Sequence, residues 1–208
     1  MQMRNSFIHT TDPIIRVALK RELKEQYTDN NHKTKIIDEL GLTHGTTRID
    51  IAVVNGILHG YELKSDMDTL ARLPFQIKLY NTVLDKITLV VGKNHLFSAI
   101  KIVPDWWGII VAKVLKLDGE IIFHKIREPE DNPERDSVSI ARLLWREEAL
   151  ELLEEINQAK GVRSKPRQLI YERLAQVLAQ DTLREKVRQT LFNRTNWRSE
   201  ILHKPNDD

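Results

Sequence analysis

Two strand-like segments, 46–54 and 57–63, flank Asn55-Gly56, and this hairpin signal constrains the chain more than any other feature. The length of the turn decides which side chains share a face. With a two-residue turn, Val54 meets Ile57, and Asp50 lies opposite Tyr61, pointing away from Glu62. With a three-residue loop, Val54-Asn55-Gly56, Val53 meets Ile57, Asp50 lies opposite Gly60 and diagonal to Glu62, and Gly56 takes the left-handed position that glycine tolerates best. A one-residue slip turns every side chain over, so the apolar pattern arbitrates. The three-residue loop puts Ile49, Ile51, Val53, Ile57, His59, Tyr61 and Leu63 on one face. Arg48, Asp50, Ala52, Leu58, Gly60, Glu62 and Lys64 fall on the other. The two-residue turn mixes the two sets. The expectation is therefore the three-residue loop, with Gly60 leaving room for a metal or a substrate.

In that register the charges form a chemical group. Carboxylates on diagonal cross-strand positions, roughly 7–8 Å apart at Cα, can share one ion. Mg²⁺ takes octahedral oxygen ligands, and the Leu63 backbone carbonyl adds a third oxygen to those of Asp50 and Glu62. Lys64 points the same way as Glu62 and can orient an attacking water or stabilise charge on a phosphate. Glu39, at the end of the preceding strand, is the best further acid. The arrangement suits metal-assisted phosphodiester hydrolysis. The competing reading is an edge hairpin with a solvated polar face. Arg48 is placed to contact phosphate or to pair with Glu62 across the strands, and Arg72 lies on the rim. His59 falls on the apolar face, which favours a satisfied core histidine over a ligand.

The remaining sequence alternates before turning helical. A helix from Asp12-Pro13 with Ile14, Ile15, Val17, Ala18 and Leu19 on its apolar side precedes a strand at 33–40. Pro74 opens a helix to about Leu84. A short buried strand spans 87–91, a helix spans 96–102, and strands at 106–115 and 120–126 turn at Asp118-Gly119. Trp106 and Trp107, at the start of an apolar strand, read as packing residues before base-stacking ones. Residues 128–136 are rich in Pro, Asn, Asp and Glu and mark a linker or boundary. Helices follow at 138–159, 166–180 and 182–197, with a frayed tail from His203. The expected organisation is an α/β domain over 1–130 and a helical C-terminal segment over 131–208.

Composition narrows the classes. With 41% apolar and 30% charged residues the chain reads as globular. It has no cysteine, which excludes disulfides and thiolate metal sites, and no apolar run approaches the roughly 20 residues of a membrane span. The expected location is cytoplasmic, without a membrane partner. The net charge is only +2, but 160–198 carries ten basic and three acidic residues, a local +7. Arg163, Lys165 and Arg167 open that stretch, which reads either as a solvated helical face or as a surface for a phosphate backbone.

Asp50 with Glu62-Leu63-Lys64 resembles the strand acid and (D/E)-x-K of the PD-(D/E)XK nuclease superfamily. Gln76-Ile77-Lys78-Leu79-Tyr80 resembles the Gln-x-x-x-Tyr signature of its RecB-like branch. The runs around Glu39-Leu40-Gly41-Leu42, Pro104-Asp105-Trp106-Trp107-Gly108 and Leu143-Leu144-Trp145-Arg146 are similar to a group of small, mostly uncharacterised bacterial proteins of that superfamily. The proline before the strand acid is absent, since Ile49 precedes Asp50. The resemblance implies a restriction-endonuclease-like core, a mixed central sheet flanked by helices. It also implies a Mg²⁺- or Mn²⁺-dependent deoxyribonuclease acting in DNA repair, processing or defence. Asp50, Glu62 and Lys64 would be catalytic, with Gln76 and Tyr80 positioning Lys64 or DNA, and Glu39 matching a further family acid. The helical end would contact DNA, a second copy of the chain or another protein. The alternative is a non-catalytic nuclease-fold subunit for DNA binding or assembly.

Overall fold

The computed structural model describes residues 8–28, 33–115, 119–195 and 197. The turn expected at Asp118-Gly119 lies partly outside this range, and the tail from His203 wholly so. The elements are α1 (Asp12–Thr28), β1 (Lys35–Leu42), β2 (Thr47–Val54), β3 (Leu58–Lys64), α2 (Leu73–Tyr80), β4 (Lys86–Gly92), α3 (Leu96–Ile100), β5 (Gly108–Val114) and β6 (Ile121–Arg127). They are followed by α4 (Ser137–Ala141), α5 (Arg146–Glu155), α6 (Arg167–Val177) and α7 (Gln180–Asn193). The strands form one sheet in chain order. The pairs β1–β2, β2–β3 and β5–β6 are antiparallel, while β3–β4 and β4–β5 are parallel. This is an α/β fold with a mixed sheet, as the sequence implies. Among the described residues no helix is long and apolar enough to cross a membrane.

Each face of the sheet is covered for a reason visible in the side chains. Helix α1 buries Ile15, Leu19 and Leu23, spaced one turn apart, against Ile51, Val53, Tyr61, Leu63 and Val90. Ile14 and Val17, expected on that side, are instead 45% and 72% exposed, because only the four-residue row faces the sheet. The opposite core runs without interruption from Ala52, Val54, Leu89 and Val91 through α2 to Leu144, Leu153, Ile170, Tyr171 and Leu183 of the helical end. The helix expected over 138–159 is two helices. The chain breaks at Arg142–Trp145, where Leu143 and Leu144 are buried. Glu148 Oε2 then accepts the Trp145 N–H at 2.6 Å, half of a capping box that starts α5 afresh.

Residues 128–136 do not behave as a loose linker. Asn132 is 1% exposed, and its amide donates to the carbonyls of Asn81 and Leu84. Beside it, buried Asp85 ties the helical end to the sheet. Its Oδ2 accepts the Leu58 N–H at 2.8 Å, its Oδ1 accepts Arg184 Nε at 2.8 Å, and Arg188 and Arg135 lie within 3.4 and 3.7 Å.

The β2–β3 loop has three residues, but they are Asn55, Gly56 and Ile57. Val54 pairs with Leu58, Val53 with His59, Ala52 with Gly60, and Ile51 with Tyr61. Gly56 adopts φ +66° in mid-loop. The loop therefore sits one residue later than expected, and Gly60 lies opposite Ala52. One further step of this register sets Asp50 opposite Glu62, so the two still share a face. The pleat breaks at Asp50. Pairing of β1 with β2 passes from Asp38–Ile51 to Leu40–Ile49, skipping Glu39 and Asp50, and Glu39 has φ +51°. Ile49 consequently joins the core that holds Ala52 and Val54, not the one that holds Ile51.

Gly60 serves that core, not a ligand. A Cβ there would lie 2.6 Å from Leu84 Cδ1 and 3.0 Å from Ile49 Cγ1. Gly60→Ala is expected to lower stability by about 1–3 kcal/mol, the usual range for overpacking, seen as a lower urea midpoint at unchanged slope.

Candidate active site

The break in β2 is what creates the site. Past Ile51–Tyr61 the β2–β3 pairing ends, and Asp50 Oδ2 accepts the Leu63 N–H at 2.8 Å. The skipped rung toward β1 leaves the Asp50 carbonyl to Arg16 of α1, which donates to it at 2.9 Å and to Asp50 Oδ1 at 2.8 Å. Arg16 also lies 3.0 Å from Glu39 and 3.1 Å from Asp12. One guanidinium thus gathers three carboxylates at the irregular rung.

Glu62 is held from the other side, by α2. Gln76 Nε2 donates to Glu62 Oε1 at 2.6 Å, and the Tyr80 hydroxyl lies 2.7 Å from Oε2. Gln76 and Tyr80 are one helical turn apart, and Gln76 Nε2 lies 3.1 Å from the Tyr80 hydroxyl. Tyr80 is fully buried and stacks on Trp107, whose indole N–H donates to Asn81. The tryptophans are therefore packing residues, as expected, and Trp107 sets the position of Tyr80. Lys64, two residues along β3 from Glu62, ion-pairs with Glu62 Oε1.

Asp50, Glu62, Leu63, Lys64, Gln76, Glu39, Arg48 and Arg72 line one open cleft of about 370 Å³. Of the predicted basic residues, Arg48 and Arg72 lie on its rim. Arg48 pairs with Gly41 across the β1–β2 rung and makes no ion pair with Glu62, correcting the expected cross-strand contact; the register gives that position to Asp50. Arg167 lines a neighbouring cleft, whereas Arg163 lines neither and pairs with Glu154 at 2.9 Å. Lys165 is exposed and lines neither. His59 is a satisfied core residue, 2.9 Å from Thr88 Oγ1, and burial pushes its pKa down to about 3.

Sequence reasoning missed Arg16, Asp12 and Asp68 at this site. The i,i+4 pair Asp12–Arg16 was legible as a helical ion pair. Its reach to Asp50 was not, because that depends on the skipped rung. Asp68 folds back on the strand end and accepts from the Ser65 N–H at 2.7 Å.

The charge balance suits a cation. Burial, reinforced by the nearby Asp50 carboxylate, pushes the Glu62 carboxyl up to about 7, against the pull of Lys64 and Tyr80. Burial and then Asp50 also raise Glu39, with Arg16 working the other way. Burial opposes the charge on Arg16, but Asp12 and Asp50 outweigh it and hold the guanidinium protonated. Gln76 Oε1 is buried and makes no hydrogen bond within the chain. Two carboxylates and the Leu63 backbone in one cleft are the hard oxygen donors that Mg²⁺ or Mn²⁺ takes. As folded, Arg16 and Lys64 satisfy those carboxylates, and no group of three or more His, Asp or Glu placed to hold an ion occurs among the described residues. A cation at Asp50 would compete with Arg16 for the same carboxylate oxygen.

Comparison with known proteins adds a family. Protein cII of Enterobacteria phage P4 is 33% identical over 75 residues, which cover 36% of this chain and 28% of that relative. The chain thus matches under a third of the length of that protein. A solved structure of a protein of unknown function from Silicibacter pomeroyi aligns over 74% of this chain and 94% of its own, at 16% identity and a TM-score of 0.41, too distant a likeness to support an argument. The family described as bacteriophage P4 protein cII matches residues 8–206. With all but the first seven and last two residues inside that match, the chain belongs to the bacteriophage P4 protein cII family.

Proposed function

We propose that this cleft hydrolyses phosphodiester bonds of DNA with the aid of Mg²⁺ or Mn²⁺, as the PD-(D/E)XK resemblance implies, in DNA repair, processing or defence. The observation that carries the reading is the convergence of Asp50, Glu62, Lys64 and Gln76, four residues from three elements, on one cleft, with buried Tyr80 holding Glu62 from behind. Asp50, Glu62, the Leu63 carbonyl and Glu39 would hold the ion, which supplies Lewis-acid stabilisation of the phosphate and a more acidic bound water. Lys64 orients the attacking water and offsets charge growing on the non-bridging oxygens. Gln76 Oε1 accepts a proton-bearing donor beside Glu62. The Tyr80 hydroxyl lies between Glu62 Oε2 and the Arg48 carbonyl, at 2.7 and 2.6 Å, and its single proton serves one of them at a time. In the reaction the water oxygen bonds to phosphorus and gives up a proton to solvent, the bond to the leaving sugar oxygen breaks, and that oxygen takes up a proton from solvent.

The pH dependence has a fixed sign. Glu62 keeps its proton below about pH 7, and a protonated carboxyl is a poor ligand. Mn²⁺ affinity, measured by isothermal titration, is expected to fall by about tenfold per pH unit below 7 and to level off above it. A flat profile between pH 5 and 8 (about the range in which Glu62 should titrate) would contradict the role of Glu62.

One observation favours the alternative, a non-catalytic DNA-binding or assembly subunit: Arg16 already bridges Asp50 and Glu39. The readings separate on purified protein incubated with Mn²⁺ and labelled single- and double-stranded DNA. Cleavage abolished by Asp50→Asn supports the nuclease. Binding without cleavage, unaffected by that change, supports the alternative.

A further inference from the structure

A second cleft, of about 430 Å³, opens off the first and shares Glu39, Gly45 and Arg48 with it. Its walls are the β1–β2 connection on one side and the Arg142–Glu147 turn with the start of α6 on the other. Arg48, Arg142, Arg146 and Arg167 line it, and none has a carboxylate within ion-pair distance among the described residues. Arg142 is steered by Gln168 at 2.9 Å, and its Nε is buried without a partner. Arg146 donates to the Arg163 carbonyl at 2.6 Å. Helix α6 begins at Arg167 with neither a capping side chain nor an acid in its first turn, so its partial positive charge adds to the same field. Arg194 differs, being spent on Glu148 and on the rings of Trp145 and Trp197.

Four guanidiniums outnumber the two acids that line the cleft, Glu39 and Glu147, so their charge is balanced only when an anion joins them, and planar guanidinium forks match phosphate oxygens. We infer that this cleft binds the sugar–phosphate backbone of a single nucleic-acid strand on the flank of the bond to be cut. Its size is that of a ligand pocket and its walls stand on both sides, which admits one phosphate row. The inference deepens the nuclease reading and rests on it for the position of the scissile bond.

The test is fluorescence anisotropy without metal, using a labelled thymidylate strand within the roughly 4–16 nucleotides of a single-strand site and the matching duplex. The variant is Arg142→Gln with Arg146→Gln, its fold verified by thermal melting, with Arg167→Gln as a second variant if that one melts early. The double variant should bind the single strand about tenfold or more weakly, with a salt slope lower by about 1.4, that is 0.7 for each lost phosphate contact. Unchanged affinity and slope would overturn the inference, as would duplex binding tighter than single-strand binding. So would failure of the parent protein to bind the strand. The two readings fail separately. Cleavage by the parent with unchanged binding in the variant removes the cleft and leaves the nuclease. Weakened binding in the variant with no cleavage by the parent removes the nuclease and leaves a strand-binding cleft.

Discussion

Lys64→Ala should reduce DNA cleavage by a factor of about 10²–10³ or more while leaving the melting curve close to that of the parent. The side chain is 12% exposed and its partner is Glu62. Removing it leaves Glu62 bonded to Gln76 and Tyr80, so the strand and helix stay joined. What is lost is an ammonium that lines the cleft and its downward pull on the Glu62 carboxyl, which burial and Asp50 raise. The substitution thus removes the group proposed to orient water and makes Glu62 harder to ionise. Initial rates on labelled DNA, with metal affinity measured beside them, check both effects. A Lys64→Ala protein that cuts at the parental rate would eliminate Lys64 from the reaction.

Asp85→Ala should cost about 3–5 kcal/mol, the range for breaking a buried ion pair. Asp85 has 3% of its side chain exposed and meets Arg184, Arg188 and Arg135 as well as the Leu58 N–H. Truncation would leave these guanidiniums clustered at the junction of sheet and helices with no counter-charge, and would strand a backbone donor at the start of β3. A two-state urea melt measures the loss. The helical end is part of the same unit, since Leu144, Leu153, Tyr171 and Leu183 belong to the core that lines the sheet, and deletion after Asp136 would expose that core. Such a deletion should yield protein that aggregates.

How much of this was legible beforehand depends on the range of each interaction. Strand alternation and the Asn55-Gly56 turn disclosed the hairpin, its loop length and the shared face of Asp50 and Glu62, because these are local. The position of the loop was off by one residue, since periodicity fixes parity and both registers have the same parity. The broken rung at Glu39 and Asp50 was hidden. It rests on a left-handed Glu39 and on Arg16 arriving from a distant helix to satisfy the Asp50 carbonyl. Gly60 looked like an opening because it sits among charges, yet Leu84 and Ile49 claim its space. That Gln76 and Tyr80 share one helical face followed from one-turn spacing, whereas their hold on Glu62 and the support of Tyr80 by Trp107 are tertiary contacts with no sequence signal. The basic excess after Lys160 was visible, but only Arg167 of the three residues singled out there reaches a cleft. Arg142 and Arg146 do so because the expected helix breaks between them.

The most direct measurement is anomalous diffraction from a crystal soaked in Mn²⁺. The proposed site predicts a peak within coordination distance of Asp50 and Glu62, about 2.0–2.3 Å from their oxygens, with Arg16 turned away from Asp50. Absence of a peak there at saturating Mn²⁺, with Arg16 still bridging Asp50 and Glu39, would contradict it.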